Sequence, residues 1–163
     1  MPTAVTDRPE YVIADAIAAA INAATFTGPI TSLPAVVDEA PDHENLDNPT
    51  NTTPKVSIVP APNLELECAQ TRGGDFHQLD LLVILTKRLS ADTERRALAD
   101  LRWQLQDRLR ADRDSATSLL TGVPLYWDLR TLEAESTFSR EGLRGPKVFQ
   151  AVLRLQFSAM LSR

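Results

Sequence analysis

The side chains that most often carry chemistry are sparse in this sequence. His43 and His77 are its only histidines, and its one cysteine, Cys68, closely follows Glu65 and Glu67. Zinc sites need several clustered histidine, cysteine or carboxylate ligands, and a reactive thiolate needs an electropositive setting. The sequence therefore predicts neither a metal site nor a cysteine nucleophile.

Motifs that bind phosphate or hold a nucleophile are also missing from the sequence. It has no Walker loop, no GxGxxG after a strand and no GxSxG turn. Asp80 is the one acid in an unusual place, within an apolar strand, where we expect it to pair with Lys87, Arg88 or a neighbouring subunit. We expect no catalytic residue and no cofactor, so the sequence does not indicate an enzyme.

Size and charge limit the classes of protein further. The chain has 163 residues, 43% hydrophobic and 24% charged, which suits one compact core. Its net charge of -5 argues against a broad basic surface for nucleic acid. No apolar run approaches the roughly 20 residues that span a bilayer, and the first residues lack the pattern of a signal peptide. We expect synthesis in the cytoplasm and no membrane partner.

Two segments have the apolar spacing of helices. The first, EYVIADAIAAAINAATF, repeats isoleucine at Ile13, Ile17 and Ile21, and its alanines would let it lie close to a sheet or another subunit. The second, DTERRALADLRWQLQDRLRADRD, has a leucine stripe, and we expect Trp103 at the edge of that stripe to be in the core. The stripe consists of Leu98, Leu101, Leu105 and Leu109.

Strand patterns fill most of the remaining sequence. A short strand is expected within 30–37, another in KVSIVPAP, and a hairpin where TRGGD turns into FHQLDLLVILTKRL. VPLYWDLRTLEAESTF and VFQAVLRLQFSAML predict two closing strands, the last of about fourteen residues against a common length of about 5–6. The expected fold class is α+β: a single domain over residues 1–163, with an antiparallel or mixed sheet of four to five strands packed against two helices.

One long segment, Asp38–Pro54, interrupts the helices and strands. It has no apolar period, contains many Pro, Asn and Thr, and exceeds the about 12–15 residues usual for structureless connections. Its acids precede the next basic residue, Lys55, and are Asp38, Glu39, Asp42, Glu44 and Asp47. The segment is either a solvated surface loop or a functional one.

Two of the strands have a second face that a partner could cover. One face of FHQLDLLVILTKRL is apolar and the other is mixed, while VFQAVLRLQFSAML is apolar on one face and largely polar on the other. A strand as long as the latter could also extend beyond its own sheet and offer its edge to a neighbour. Candidates for a subunit interface on these strands are Leu82, Ile84, Val152, Arg154, Gln156 and Met160.

Three segments together resemble the tail terminator, or tail-completion, proteins of long-tailed bacteriophages. They are IADAIAAAINAATF, FHQLDLLVILTKRLSADTERRALADLRWQLQDRL and VFQAVLRLQFSAML. That family has an alanine-rich N-terminal helix, a strand leading through a short capped turn into a second helix, and a long final strand. The resemblance is one of order and covers most of the chain, while DRDSATSLLTGVP and the length of the 38–54 loop depart from it.

The resemblance implies a structural protein of the virion, located at the junction of tail and neck. Such proteins form a homo-oligomeric ring, usually of six copies, which caps the major tail tube protein, stops its polymerisation and presents a surface to the head–tail connector and neck proteins. Double-stranded DNA would pass through the ring as cargo without specific binding. In that setting the five acids of the 38–54 loop would face the lumen or the adjoining ring, because carboxylates repel phosphates.

Two other functions remain open from the sequence. The chain could be another neck component, such as a head–tail adaptor or stopper. In a different class, it could be a small α+β enzyme or a ligand-binding domain with an unrecognised pocket. A ring-sized oligomer in solution would favour a tail terminator or another neck component over an enzyme or ligand-binding domain.

Overall fold

The computed structural model describes most of the chain, and the statements below concern that part. Residues 9–37, 53–60, 69–71, 74–89, 91, 93–111, 114–122, 127–134 and 148–161 are described. In chain order they form α1 (Pro9–Ala23), β1 (Ala35–Val37), β2 (Lys55–Pro60), β3 (Ala69–Thr71), β4 (Gly74–Arg88), α2 (Glu94–Arg110), β5 (Trp127–Ala134) and β6 (Val148–Leu161).

All the described strands belong to one mixed sheet. Five strands lie side by side in the order β1-β2-β4-β6-β5, and β3 pairs with the start of β4. β1 is parallel to β2, and the other pairs are antiparallel. β4 pairs with all 14 residues of β6, from Asp75 opposite Leu161 to Arg88 opposite Val148. At about 3.4 Å per residue this central ribbon is roughly 45 Å long, about twice the length of α1.

The core lies between one face of the sheet and the two helices. Alternate residues of β4 and β6 point to this face, so Leu81 and Leu155 are fully buried there. From α1 the isoleucines at 13, 17 and 21 reach the same core, and from α2 the whole predicted leucine stripe does. The amphipathic pattern of each element therefore fixes which of its sides is inside.

The predicted fold class is confirmed in the described part of the chain, which is α+β with a mixed sheet against two helices. The closing strand begins and ends at the predicted residues, Val148 and Leu161. Its predicted free edge is wrong for most of its length. β4 covers one edge of β6 completely, and β5 pairs with Leu153–Ala159 on the other. Among the described strands, residues 148–152 and 160–161 therefore keep an unpaired edge.

Trp103 is a second correction, because its side chain is 58% exposed instead of lying in the core. Trp103 is two residues from both Leu101 and Leu105, which are buried. At about 100° per residue it therefore points roughly 160° away from the leucine stripe. The aromatic side chain stands on the solvent side of α2.

The segment that departs from the family resemblance completes the core at the end of α2. Leu119 and Leu120 are both buried. The Leu119 N–H donates to the carbonyl oxygen of Arg108 at 3.1 Å, and the Ser118 hydroxyl donates to the carbonyl oxygen of Ala111 at 3.2 Å. These bonds satisfy carbonyl groups that a helix end leaves without intrahelical partners.

Candidate functional site

The face of the sheet turned away from α1 and α2 carries most of the predicted interface residues. We call this the outer face, and it consists of alternate residues of β2, β4 and β6. Its residues with described side chains are Lys55, Ser57, Val59, Asp80, Leu82, Ile84, Thr86, Arg88, Val148, Gln150, Val152, Arg154 and Gln156. Both described helices pack against the opposite face.

The strand register brings four interface candidates together on the outer face. Leu82 lies opposite Arg154, and Ile84 lies opposite Val152. Leu82 and Val152 are half-buried, as is Gln156. Ile84 is only 4% exposed within the single chain, so it offers little surface to a partner. Met160 lies in β6, but its side chain is outside the description. Contact of these residues with another subunit stays a prediction.

A buried ion pair crosses the outer face between β4 and β6. Both Nε and Nη2 of Arg154 donate to Oδ2 of Asp80, at 3.1 and 2.7 Å. The Asp80 side chain is 1% exposed and that of Arg154 is 43% exposed. The other carboxylate oxygen of Asp80 has no hydrogen-bond donor among the described residues. The guanidinium therefore holds a carboxylate that would otherwise be buried without a counter-charge.

The partner of Asp80 is thus neither of the two cations expected from the sequence. Lys87 instead pairs with Glu94 in the first turn of α2, with 2.8 Å between Nζ and Oε1. Arg154 is diagonal to Asp80, because Asp80 itself lies opposite Gln156. Long side chains reach such diagonal neighbours on a sheet. The pair was hidden from sequence analysis because it depends on the register of strands that are far apart in the chain.

The predicted acidic site lies outside the described residues. This holds for Asp38, Glu39, Asp42, Glu44 and Asp47, and their position near a lumen or another ring stays a prediction. His43 and Cys68 are also outside the description, and His77 lies in β4 without a described side chain. Of the 38–54 loop only Thr53 and the buried Pro54 are described.

The turn after α1 is fastened to α2 by two long side chains. The Gln104 amide bonds both backbone groups of Thr27: its Oε1 accepts from the Thr27 N–H at 2.9 Å and its Nε2 donates to the Thr27 carbonyl oxygen at 2.8 Å. Arg108 donates to the Thr25 carbonyl oxygen at 2.6 Å. Its guanidinium also lies 4.6 Å from the centre of the Phe26 ring, a cation–π distance. These contacts fix the two helices relative to each other.

An open groove of about 690 Å³ lies beside this contact, between the end of α1 and residues 114–121. Alanine methyl groups and hydroxyl groups form much of its lining, and the lining ionisable groups are Arg108 and Asp114. Arg108 is already engaged with Thr25 and Phe26. The described lining therefore offers no paired acid and base for proton transfer.

The solvent side of α2 presents a second open groove, of about 650 Å³, next to Trp103. Arg96 and Asp100 also line it, and the guanidinium of Arg102 lies 6.0 Å from the centre of the Trp103 ring. Exposed tryptophan is uncommon on a free surface and enriched at protein interfaces. The sequence did contain a signal for this surface, because the spacing of Trp103 from Leu101 and Leu105 places it on the side of the helix opposite the leucine stripe.

Within the described residues, no three histidine, cysteine or acidic side chains lie close enough together to hold a metal ion. Neither described helix is both long and apolar enough to cross a membrane. Comparisons with known proteins found no matching family model and no matching curated protein.

Proposed function

We propose that the chain is a structural subunit of a bacteriophage virion that acts as a tail terminator. In this proposal, copies of the chain form a ring, of six subunits as in the proteins it resembles. The ring caps the tail tube at the neck, ends polymerisation of the tube protein and presents a surface to the head–tail connector proteins. The subunit is made in the host cytoplasm and works in the virion, without catalysis or a cofactor.

The observation that supports the proposal best is the order and extent of the described elements. An alanine-rich helix, a long strand leading into an amphipathic helix, and a closing strand of 14 residues follow one another in the chain. This is the order on which the resemblance to tail terminators depends. The described structure adds that the long strand and the closing strand pair along their whole shared length, which makes one rigid ribbon of the two segments.

The described surface also has features that suit a ring. In a cyclic ring each subunit contacts its two neighbours through two different patches. One available patch is the solvent side of α2 with the exposed Trp103, and another is the outer face with the half-buried Leu82 and Val152. They belong to opposite sides of the sheet, so both can be occupied in one subunit at the same time.

DNA enters the proposal only as cargo that passes through the ring. The net charge of -5 disfavours lasting contact with phosphates, since tight binding depends on basic side chains that release counterions. We propose that the acids of the 38–54 loop line the lumen or the contact with the adjoining ring.

Size-exclusion chromatography with light scattering tests the oligomer directly. We expect a mass near six times 18.0 kDa, or a monomer that forms rings only on added tail tubes, seen by electron microscopy as capped tube ends. Trp103→Ala should weaken ring formation if the α2 surface is an interface. Arg110→Ala is the control, because Arg110 is an exposed residue of the same helix that does not line the groove beside Trp103. A stable monomer that ignores tail tubes would refute the proposal.

Disruption of the gene in its phage separates the terminator from other neck components. Loss of a terminator should give overlong tails without heads, because nothing stops the growth of the tube. Heads that lose their DNA while tail length stays normal would assign the chain to the neck as an adaptor or stopper instead.

A further inference from the structure

Among the described strands, β1 is the last one on one side of the sheet, so one edge of its backbone has no described strand beside it. Strands in a parallel pair bond to each other through alternate residues. The Val56 N–H of β2 donates to the carbonyl oxygen of Pro34 at 2.9 Å. Ala35, the next residue, therefore points its N–H and C=O away from β2, towards the outside of the sheet.

Asn22 in the last turn of α1 bonds both of these outward groups. Its Oδ1 accepts from the Ala35 N–H at 2.9 Å, and its Nδ2 donates to the Ala35 carbonyl oxygen at 2.9 Å. A side-chain amide has the same donor and acceptor as a peptide group. Asn22 thus occupies the position that a peptide group of an added strand would take.

An open edge at β1 would be a liability, because Val36 beside Ala35 is an exposed apolar residue, 38% accessible. Unpaired edges with apolar side chains are templates for strand addition between copies of a protein. We infer that Asn22 closes this edge and prevents a second copy of the chain from adding a strand to β1. The inference concerns the single subunit and does not depend on the proposed ring.

The test compares Asn22→Ala with Gln104→Ala by size-exclusion chromatography and light scattering over a range of protein concentrations. Alanine is the best helix former, so Asn22→Ala should keep α1 folded. Gln104→Ala is the matched control, since it also removes an amide with two bonds to one backbone residue, Thr27, but Thr27 lies outside the strands. Circular dichroism checks that both variants are folded.

We expect the weight-average mass of Asn22→Ala to rise with concentration towards twice that of the unmodified protein, while the mass of Gln104→Ala stays unchanged. Adding Val36→Lys to Asn22→Ala should abolish the extra association, because a charged side chain on an edge strand opposes strand addition. If Asn22→Ala alone precipitates, the double variant still tests the inference, because we expect it to be soluble with the mass of the unmodified protein. The inference fails if Asn22→Ala keeps the mass of the unmodified protein. It also fails if Gln104→Ala associates equally, or if Val36→Lys does not restore a soluble species of the original mass.

Discussion

Replacing Arg154 tests whether its ion pair with Asp80 contributes to stability as a buried pair does or as an exposed surface pair does. Arg154→Met keeps much of the side-chain length but removes both donors to Oδ2 of Asp80. Asp80 then stays in the sheet with a side chain that is 1% exposed and no described counter-charge. We expect a large loss in the free energy of unfolding, because the unchanged Asp80 becomes a buried carboxylate without its guanidinium partner.

The size of the effect follows from the burial of the two partners. Removing one member of a fully buried ion pair costs about 3–5 kcal/mol, and a hydrogen bond to a charged group contributes about 1.5–3 kcal/mol. Because the Arg154 side chain is 43% exposed, part of its charge is already solvated. We therefore expect the lower end of the range, about 3 kcal/mol.

The reverse change should cost much less. In Asp80→Leu the guanidinium of Arg154 can turn into solvent, and the carboxylate oxygen without a described donor disappears. We expect a loss of about 1 kcal/mol for Asp80→Leu and a double variant within about 1 kcal/mol of the unmodified protein, since apolar replacements of buried pairs are often neutral. The two single changes and the double change form a mutant cycle.

Urea unfolding followed by far-UV circular dichroism measures the four free energies. All four proteins must be compared at one protein concentration, because oligomerisation contributes to apparent stability. Arg96→Met, an exposed arginine of α2, is the control and should change stability by less than about 0.5 kcal/mol. A loss below about 1 kcal/mol for Arg154→Met is the value of an exposed pair and would refute the argument from burial.

Three further changes probe the helices and their contact with the sheet. Gln104→Ala should lower the free energy of unfolding by about 1–2 kcal/mol, as two bonds to Thr27 are lost, and amide hydrogen exchange should become faster at Thr27; slow exchange there would contradict the contact. Leu105→Ala, at a fully buried position, should cost about 2–5 kcal/mol in urea unfolding, and a smaller loss would mean that the core closes around the gap. Lys87→Met should cost less than about 1 kcal/mol in thermal unfolding, because Glu94 is 30% exposed and stays hydrated; a cost as large as that of Leu105→Ala would contradict this.

The sequence was most informative where one element repeats a single pattern over many residues. Period-two alternation gave both ends of β6 and the buried face of β4, and the leucine stripe gave the buried side of α2. Such patterns are local, so they can be interpreted without knowing how the rest of the chain folds. The expectation that β6 could offer a free edge to a neighbour was wrong for most of the strand, because β6 lies between β4 and β5 and strand order is a property of the whole sheet.

The contacts at the candidate sites were harder to predict, since each depends on two distant segments. Asp80 meets Arg154 only in the observed register, and a shift of one residue would move Arg154 to the other face. Asn22 and Ala35 are joined because α1 ends beside β1. A single polar residue near the end of an alanine-rich helix was the only sign of that contact in the sequence.

The place of β6 inside the sheet has a consequence for synthesis. Among the described strands, β5 pairs with β6 alone, although β5 precedes it in the chain. Until β6 has been synthesised, β5 therefore has no described partner strand, and the edge of β4 that later pairs with β6 is unpaired. β4 and β5 gain their shared partner together, when β6 leaves the ribosome and inserts between them. A nascent chain that stops within β6 would therefore lack an interior strand of its sheet instead of an edge strand.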